Sequence, residues 1–380
     1  MMIHTKTIAV FLLSLFLIGQ VQAQSADFNN KLKQVADRYE AVGLAIVVVK
    51  NGKPVYSNAI GYQDVEAKKP LTTDNLFRIA SISKSFSSTA IMQLVEKGII
   101  SLDDDFGDLV GFPVRNPNFP DNKITLEMVL SHRSSINDKN GYFSLDVINP
   151  AKNKDWKQSY NSYAPGQGYE YCNLNFNMVG AVLERLTQVR FDNYIKQQIL
   201  DPLQLAAGYN IDSLDKSRFA KLYVKENGKF EEQPSAYNPR SEEIKNYTLG
   251  ESTPVFSPTG GMKISANDLA KYMLMHMNYG KVGKLQLLRK KSAKRMQKGL
   301  SEKEHYGLAL LENDRLIPGE HMIGHTGSAY GLYSNMFFEP KQKFGFIVIT
   351  NGCIPKTDSH DDILLSKEVI QLLYSEFIKK

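Results

Sequence analysis

The stretch RIASISKSF, residues 78–86, places three serines and a lysine at the start of an apolar run. Ser81 and Lys84 are three residues apart, so on a helix their side chains lie on one face. A serine hydroxyl becomes a good nucleophile only when a neighbouring base takes its proton, and a lysine can serve when burial and nearby charge adjust its pKa. The stretch therefore predicts either a catalytic pair or a helix start that a serine caps.

The same spacing occurs a second time, at Ser213 and Lys216 in the segment DSLDKSR. This second match lies in a polar segment with no apolar helix behind it. Ser81, in contrast, follows the strand-like run NLFRIA and opens an apolar helix, whose N–H groups and dipole favour developing negative charge. This context makes Ser81 the more suitable position for a nucleophile, while a helix start that Ser81 caps, with Lys84 as a solvated first-turn residue, remains the alternative for the match taken alone.

Composition excludes several other classes of protein. The 380 residues include 46 Lys and Arg against 40 Asp and Glu, without a basic block of the kind that binds nucleic acid. The two cysteines, Cys172 and Cys353, are too few for a disulfide framework, and whether they pair is left open. The seven histidines are dispersed, and neither His-Glu-x-x-His nor Gly-x-Ser-x-Gly occurs. We expect neither a metal nor a nucleic-acid partner.

The N-terminus has the pattern of a cleavable export signal. Lys6 precedes the apolar run IAVFLLSLFLIG, and VQA provides small residues for cleavage before Gln24. The run is too short for a comfortable membrane span, and no cysteine lies near the cut to carry a lipid anchor. The sequence thus predicts a signal peptide over 1–23 and a periplasmic or secreted mature chain, 24–380, without stable membrane insertion.

Hydrophobic periodicity divides the mature chain into β-rich ends and a helical middle. Two β-rich runs, LAIVVVK and KPVYSNAIGY, flank Asn51-Gly52 and predict a hairpin. Further helices are predicted at 27–41, at 83–97 closed by Gly98, at TLEMVLSH, FNMVGAVLERLTQ and FDNYIKQQIL, and at ISANDLAKYMLMHMNYG with Ser265 or Asn267 as N-cap. Residues 206–256 lack periodicity and predict an excursion over the surface.

The C-terminal part returns to strand-like runs before a last amphipathic helix. These runs are YGLALLEN, YSNMFFEP and KFGFIVITNG, and the helix is DILLSKEVIQLLYSEFIKK. Strands at both ends predict one sheet assembled from distant segments, about 24–80 and 300–380. A mainly helical subdomain, about 81–300, is inserted between them, and no second independent domain is indicated.

Two further motifs give the chain its resemblance to a known family. Tyr171-Cys172-Asn173 lies in YEYCNLNF, and His325-Thr326-Gly327 lies in GHTGSAYG. With Ser81-x-x-Lys84 before them, these motifs resemble the serine β-lactamase and penicillin-binding-protein superfamily, particularly its class C-like branch. That branch also includes esterases, D-aminopeptidases and D-alanyl-D-alanine carboxypeptidases. The likeness runs from about residue 43 to 352, and it implies an α/β (α+β) fold with an antiparallel sheet flanked by helices.

The resemblance also implies roles for individual residues. Ser81 would attack the substrate carbonyl and become acylated, and Tyr171 would act as general base and proton relay, its phenolate favoured by Lys84. Asn173 would orient the acyl-side amide of the substrate. Cys172, at the free position of its motif, is interpreted as a small packed residue and not as a nucleophile.

The third motif would form one wall of the site. By resemblance, the backbone N–H groups of Ser81 and Ser328 would form the oxyanion hole, and Thr326 and Gly327 would line the substrate edge. Tyr333-Ser334-Asn335 also fits the second motif, but it follows His325 instead of preceding it and is interpreted as sheet structure.

His325 stands where many β-lactamases have lysine. Histidine is mostly neutral at pH 7.5, so recognition of a substrate carboxylate is less assured than with a fixed cation. This departure suits esterases, amidases and aminopeptidases as well or better. The alternative is a strand-edge histidine without ligand contact.

Taken together, the motifs predict an exported serine hydrolase that works through a Ser81 acyl-enzyme on an amide, lactam or ester. A β-lactamase or D-Ala-D-Ala carboxypeptidase is one form of this prediction. Esterase, D-aminopeptidase and acyltransferase are alternatives within the fold, and a non-catalytic β-lactam sensor is an alternative outside enzymes. The expected partner is a small-molecule or peptidoglycan-derived substrate without a cofactor, and the oligomeric state is left open.

Overall fold

The computed structural model describes residues 27–379, so the predicted signal peptide lies outside the described residues. A first helix, α1, covers 27–38. Strands β1 (Gly43–Lys50) and β2 (Lys53–Asp64) follow and pair antiparallel, with Lys50 opposite Lys53. The connecting Asn51 and Gly52 both have positive φ, 54° and 71°, as a two-residue turn that matches strand twist requires. The predicted hairpin is confirmed.

One seven-stranded antiparallel sheet organises the molecule, in the order β10-β11-β12-β13-β1-β2-β3. Its strands besides β1 and β2 are β3 (Lys69–Pro70), β10 (Leu311–Asn313), β11 (Met322–Ala329), β12 (Leu332–Glu339) and β13 (Phe344–Thr350). Strand β1, near the N-terminus, thus pairs with β13, near the C-terminus. The prediction of a sheet assembled from distant segments is confirmed.

Both faces of the sheet are covered, which explains why β1 is apolar at almost every position. Ala45 and Val47 face the larger core with the helical middle, whereas Leu44 and Ile46 face a second core. That second core is closed by α1 and by the C-terminal helix α10 (Leu364–Leu373). No helix within 27–379 is long and apolar enough to cross a bilayer.

The helical middle is built around α2 (Ser83–Glu96), which is buried on nearly all sides. The other helices are α3 (Phe106–Val110), α4 (Leu126–Leu130), α5 (Asn173–Thr187), α6 (Phe191–Ile195), α7 (Ser241–Lys245), α8 (Ala266–Met277) and α9 (Lys290–Gln297). Three short strand pairs complete it: β4 (Phe77–Arg78) with β7 (Lys263–Ile264), β5 (Tyr223–Glu226) with β6 (Lys229–Glu232), and β8 (Lys281–Val282) with β9 (Leu285–Gln286).

The structure settles several local predictions. Gly98 ends α2 with a φ of 70°, and Ser265 is the N-cap of α8, where its side chain accepts a hydrogen bond from the Asp268 N–H. The surface excursion predicted for 206–256 is wrong in part, because Tyr209 and Tyr223 are fully buried. Tyr209 donates a hydrogen bond of 2.9 Å to the Ser83 carbonyl oxygen and so ties this segment to α2.

The sheet edge differs most from the sequence prediction. Of the run YGLALLEN, only Leu311–Asn313 is strand, and β11 was not among the predicted strands. The β11 sequence MIGHTGSA is rich in small and polar residues, so it lacks the β-branched and aromatic signal of an ordinary strand. This strand nevertheless carries the third motif.

Candidate active site

Ser81 lies on a tight turn between β4 and α2. The turn is a 3₁₀ segment, Ala80–Ile82, and Ala80 within it has a positive φ of 50°. Strand β11 packs directly against this turn. A Cβ at Gly327 would lie 2.2 Å from the Ile79 carbonyl oxygen, so only glycine lets the two backbones approach this closely. Ser81 is thereby held against the strand that carries His325-Thr326-Gly327.

Lys84 lies beneath Ser81 and is completely buried. Its Nζ is 3.1 Å from Ser81 Oγ, 2.9 Å from Asn173 Oδ1 and 3.1 Å from the Thr259 carbonyl oxygen. It also lies 4.6 Å from the centre of the Tyr171 ring. The structure therefore brings Lys84 of the first motif together with Tyr171 and Asn173 of the second, next to the predicted nucleophile.

The pKa of Lys84 makes it a competent base. Burial lowers this pKa from 10.5 to about 7, while the negative charge of Asp138 acts in the opposite direction. Near neutral pH a large share of the molecules therefore carries a neutral amine. Its lone pair then lies within hydrogen-bond distance of the Ser81 hydroxyl, which is the geometry that proton abstraction needs.

Tyr171 differs from the expectation that Lys84 favours its phenolate. Burial raises the pKa of Tyr171, and this effect outweighs the opposing influence of the nearby Ser81 side chain. The phenol is therefore the resting form, and the expected phenolate is wrong for the free protein. Its hydroxyl is buried and has no hydrogen-bond partner among residues 27–379, which leaves its proton available to a group that enters the cavity.

Asp138 was missed by the sequence analysis, and it organises the start of α5. Its carboxylate accepts hydrogen bonds from the backbone N–H groups of Asn173 (2.8 Å) and Leu174 (3.0 Å). It also accepts one of 3.0 Å from Asn173 Nδ2, which turns Asn173 Oδ1 towards Lys84. Asp138 is remote in sequence and follows a loop, so no local pattern identifies it as a capping residue.

His132 is a second residue that the sequence analysis did not identify. Its ring lies 4.4 Å from the Tyr171 ring, and its Nδ1 accepts a hydrogen bond of 3.1 Å from the Cys172 N–H. Burial, followed by the charge of Lys84, holds the pKa of His132 well below its usual range. The imidazole is therefore neutral, and it acts as a packed support for the phenol.

His325 is buried, and both ring nitrogens have partners. Nδ1 lies against the Thr326 carbonyl oxygen, which only accepts, so Nδ1 carries the hydrogen and Nε2 accepts from the Tyr306 hydroxyl at 2.9 Å. Burial and the charge of Lys84 lower the pKa of His325 to about 3. The expectation of a neutral histidine is confirmed, and this position offers a substrate no fixed cation.

A cavity of about 610 Å³ opens above these residues. Its lining includes six of the predicted site residues: Ser81, Tyr171, Asn173, His325, Thr326 and Ser328. Thr326 and Ser328 are exposed, and both line this cavity. Strand β10 pairs only with residues 322–324 of β11. Beyond Gly324, the edge of β11 that faces this cavity is not covered by β10. An extended substrate can therefore lie against backbone groups.

The other sequence matches lie elsewhere. Ser213 is exposed and donates its hydroxyl to the Asn210 carbonyl oxygen at 2.8 Å, while Lys216 is exposed on the following turn. Residues 333–335 lie within β12, as predicted. Cys172 is fully buried, which confirms its interpretation as a packed residue, and both Cys172 and Cys353 are free thiols.

Comparison with known proteins extends the likeness across the chain. The Beta-lactamase family model matches residues 28–369. Among curated proteins, Protein flp of Staphylococcus aureus (strain N315) is 26% identical over 339 residues, which cover 84% of this chain and 62% of that protein. This chain thus spans about three fifths of the length of that relative.

Two solved structures share the fold. The octameric penicillin-binding protein homologue from Pyrococcus abyssi has a TM-score of 0.73 at 24% identity, over 92% of this chain and 77% of that chain. The D-amino acid amidase from Ochrobactrum anthropi SV3, complexed with D-phenylalanine, has a TM-score of 0.69 at 20% identity, over 92% and 98%. The predicted fold class, an antiparallel sheet flanked by helices with a helical subdomain, is confirmed.

Proposed function

Since this chain belongs to the beta-lactamase family, we propose that it is a serine hydrolase that works through an acyl-enzyme on Ser81. The observation that carries this proposal is the buried Lys84 amine, 3.1 Å from Ser81 Oγ and below the Tyr171 ring. Burying a lysine costs folding free energy, and lysines with a strongly lowered pKa next to a cavity occur preferentially at functional sites. Here it supplies a base next to Ser81, which lines the cavity from a constrained turn.

Acylation begins when the neutral Lys84 amine takes the proton of Ser81 Oγ and the oxygen attacks the substrate carbonyl carbon. The negative charge that develops on the carbonyl oxygen is stabilised by the backbone N–H groups of Ser81 and Ser328. Asn173, held by Asp138, orients the acyl part of the substrate.

The leaving group departs with a proton from the Tyr171 phenol, and the Lys84 ammonium returns a proton to Tyr171. The bond between the carbonyl carbon and the leaving oxygen or nitrogen breaks, and both side chains regain their starting states. In deacylation, water gives a proton to Lys84 and attacks the acyl ester. Ser81 Oγ then leaves and recovers its proton, which completes the hydrolysis.

The substrate class we favour is an ester or amide in which no carboxylate faces the third motif. This preference follows from His325, which is buried, neutral and engaged by Tyr306. A β-lactam or D-Ala-D-Ala substrate would gain no ionic contact there. The amidase named among the solved structures acts on an amide, and its likeness is consistent with this preference. We also propose that the protein is exported, on the evidence of residues 1–23.

The proposal is tested by a turnover panel of nitrocefin, p-nitrophenyl esters and D-amino-acid amides, with wild type, Ser81→Ala and Ser213→Ala. We expect turnover of an ester or amide that is lost in Ser81→Ala and kept in Ser213→Ala, the matched second serine. A stable adduct on Ser81 without turnover of any substrate would instead indicate the sensor function. Unchanged turnover in Ser81→Ala would refute the proposal.

A further inference from the structure

Arg78, the first residue of the stretch RIASISKSF, is a buried cation on the wall of the cavity. Only 7% of its surface is exposed. Its Nε donates to the Gly260 carbonyl oxygen at 3.1 Å, and its Nη1 donates to the Ala236 carbonyl oxygen at 3.3 Å. The guanidinium carbon lies 4.9 Å from the centre of the Tyr330 ring.

This guanidinium has no charge partner in the described part of the chain. No carboxylate within 27–379 lies within ion-pair distance of Arg78, although buried arginines are normally paired. Its Nη2 has no acceptor among those residues, and it is not one of the sealed buried polar atoms, so it retains access to the cavity. Arginine stays protonated at physiological pH, so the wall carries a fixed positive charge.

The position of Arg78 in the cavity can be described relative to β11, because Arg78 contacts Tyr330 at the end of this strand. The part of this segment that lines the cavity begins at His325 and ends at Tyr330, the residue after the strand. The four steps of extended strand from His325 to Ala329 span roughly 13 Å. Gly327, between these ends, packs against the turn that carries Ser81. Arg78 under the Tyr330 ring therefore lies on the opposite side of the nucleophile from His325.

The side on which Arg78 lies is the one that receives the acyl part of the substrate. Gly260, which accepts from Arg78, follows Thr259 in the chain. Thr259 Oγ1 donates a hydrogen bond of 2.8 Å to Asn173 Oδ1. Asn173 is the residue assigned to the acyl-side amide, so Arg78 and Asn173 flank the same half of the cavity.

The two ends of the cavity carry opposite charges. Among its described lining residues, the carboxylate is Glu304, whose charge acts on Tyr169; the Tyr169 ring lies 6.0 Å from the ring of Tyr306, the partner of His325. The negative group thus lies at the leaving-group end, and the fixed positive group lies at the acyl end. A substrate with a negatively charged acyl part matches this arrangement, whereas one with a negatively charged leaving group opposes it.

We propose that Arg78 binds a carboxylate carried by the acyl part of the substrate, so that the preferred substrates are esters or amides of dicarboxylic or acidic acyl groups. This inference rests on the proposed function, because the acyl end is defined by attack from Ser81. The free Nη2 of Arg78 can donate to a carboxylate oxygen, and burial strengthens such a charge-assisted hydrogen bond.

The test compares two p-nitrophenyl esters of similar size, one with a 4-carboxybutanoyl group and one with the neutral 4-carbamoylbutanoyl group. For wild type we expect kcat/KM to be at least about tenfold higher for the carboxylate ester. Arg78→Gln should remove this preference, mainly through KM, and Arg78→Lys should keep part of it. Arg240→Gln is the matched control, because Arg240 is close to Arg78 but is paired with Glu243 and does not line the cavity.

Equal kcat/KM for the two esters in wild type would overturn the inference, whether or not the Arg78 variants fold. An unchanged preference in folded Arg78→Gln would overturn it as well. If Ser81 is labelled by a fluorophosphonate and both esters react equally, only the role of Arg78 fails. If Ser81 is not labelled at all, the proposed function fails, and the inference fails with it.

Discussion

Replacing Lys84 with methionine should stabilise the protein near neutral pH while it removes the base. In the folded chain the Lys84 amine loses its proton near pH 7, whereas a lysine in the unfolded chain keeps it up to about 10.5. Between these values the unfolded state binds more protons, so the unfolding free energy of wild type rises with pH. The variant Lys84→Met has no such group, and its unfolding free energy lacks this rise.

The size of the effect follows from the same two values. Each pH unit in this window changes the contribution of Lys84 to the free energy of unfolding by roughly 1 kcal/mol. Over the whole window this contribution changes by on the order of 4 kcal/mol. Loss of the hydrogen bond to the Thr259 carbonyl oxygen offsets about 1–3 kcal/mol of the gain. We therefore expect Lys84→Met to be more stable than wild type by about 2 kcal/mol at pH 7, with an advantage that shrinks steadily towards pH 9.

Urea unfolding of both proteins at pH 6, 7, 8 and 9 measures this difference directly. Lys216→Met, the exposed lysine of the second Ser-x-x-Lys match, is the control, and it should change the unfolding free energy by less than about 0.5 kcal/mol at every pH. A difference between wild type and Lys84→Met that does not vary with pH would refute the view that burial depresses the pKa of Lys84.

Three further predictions concern the site. The rate of Ser81 acylation should rise with pH through about 7, because Lys84 becomes a neutral amine there, and a flat stopped-flow profile from pH 5 to 9 would contradict this. Asp138→Asn should move that rise to lower pH, since the charge of Asp138 raises the pKa of Lys84, and should lower kcat/KM by about tenfold or more. Gly327→Ala should lower kcat/KM about a hundredfold and the unfolding free energy by about 1–3 kcal/mol, because its Cβ meets the Ile79 backbone; wild-type kinetics would disprove this.

The parts of the fold that sequence predicted are those with strong local signals. The hairpin at Asn51-Gly52 needs positive φ at two residues, and α2 ends at a glycine that provides one as well. From the order of the three motifs we also expect Ser81, Tyr171 and His325 to share one site, and all three line the same cavity. In each case the feature that determines the local structure or the site lies within a few consecutive residues.

The parts that sequence did not predict depend on contacts between distant segments. Strand β11 is stabilised by pairing with β12 and by its approach to the Ser81 turn, although it is rich in small and polar residues. Asp138 and His132 act on α5 and Tyr171 through space. Thr259 lies in the stretch SPTGGMKIS, and only the structure shows that its carbonyl oxygen accepts a hydrogen bond from Lys84.

Arg78 illustrates the same limit within the stretch that revealed the site. In sequence it is an ordinary basic residue in a strand-like run. Its burial without a carboxylate partner, and its place at one end of the cavity, appear only when Gly260, Ala236 and Tyr330 are brought around it. A charged side chain on the surface is solvated, whereas a buried charge without a partner costs free energy and therefore indicates a functional site.

The central claim, that Ser81 is the nucleophile, is tested most directly by locating the covalent adduct. Wild type and Ser81→Ala are treated with a fluorophosphonate, digested, and analysed by mass spectrometry of the peptides. We expect one modified peptide in wild type, the one that contains Ser81, and no modified peptide from the cavity in Ser81→Ala. An adduct on another cavity residue that persists in Ser81→Ala, or an unmodified Ser81 in active wild type, would contradict the account.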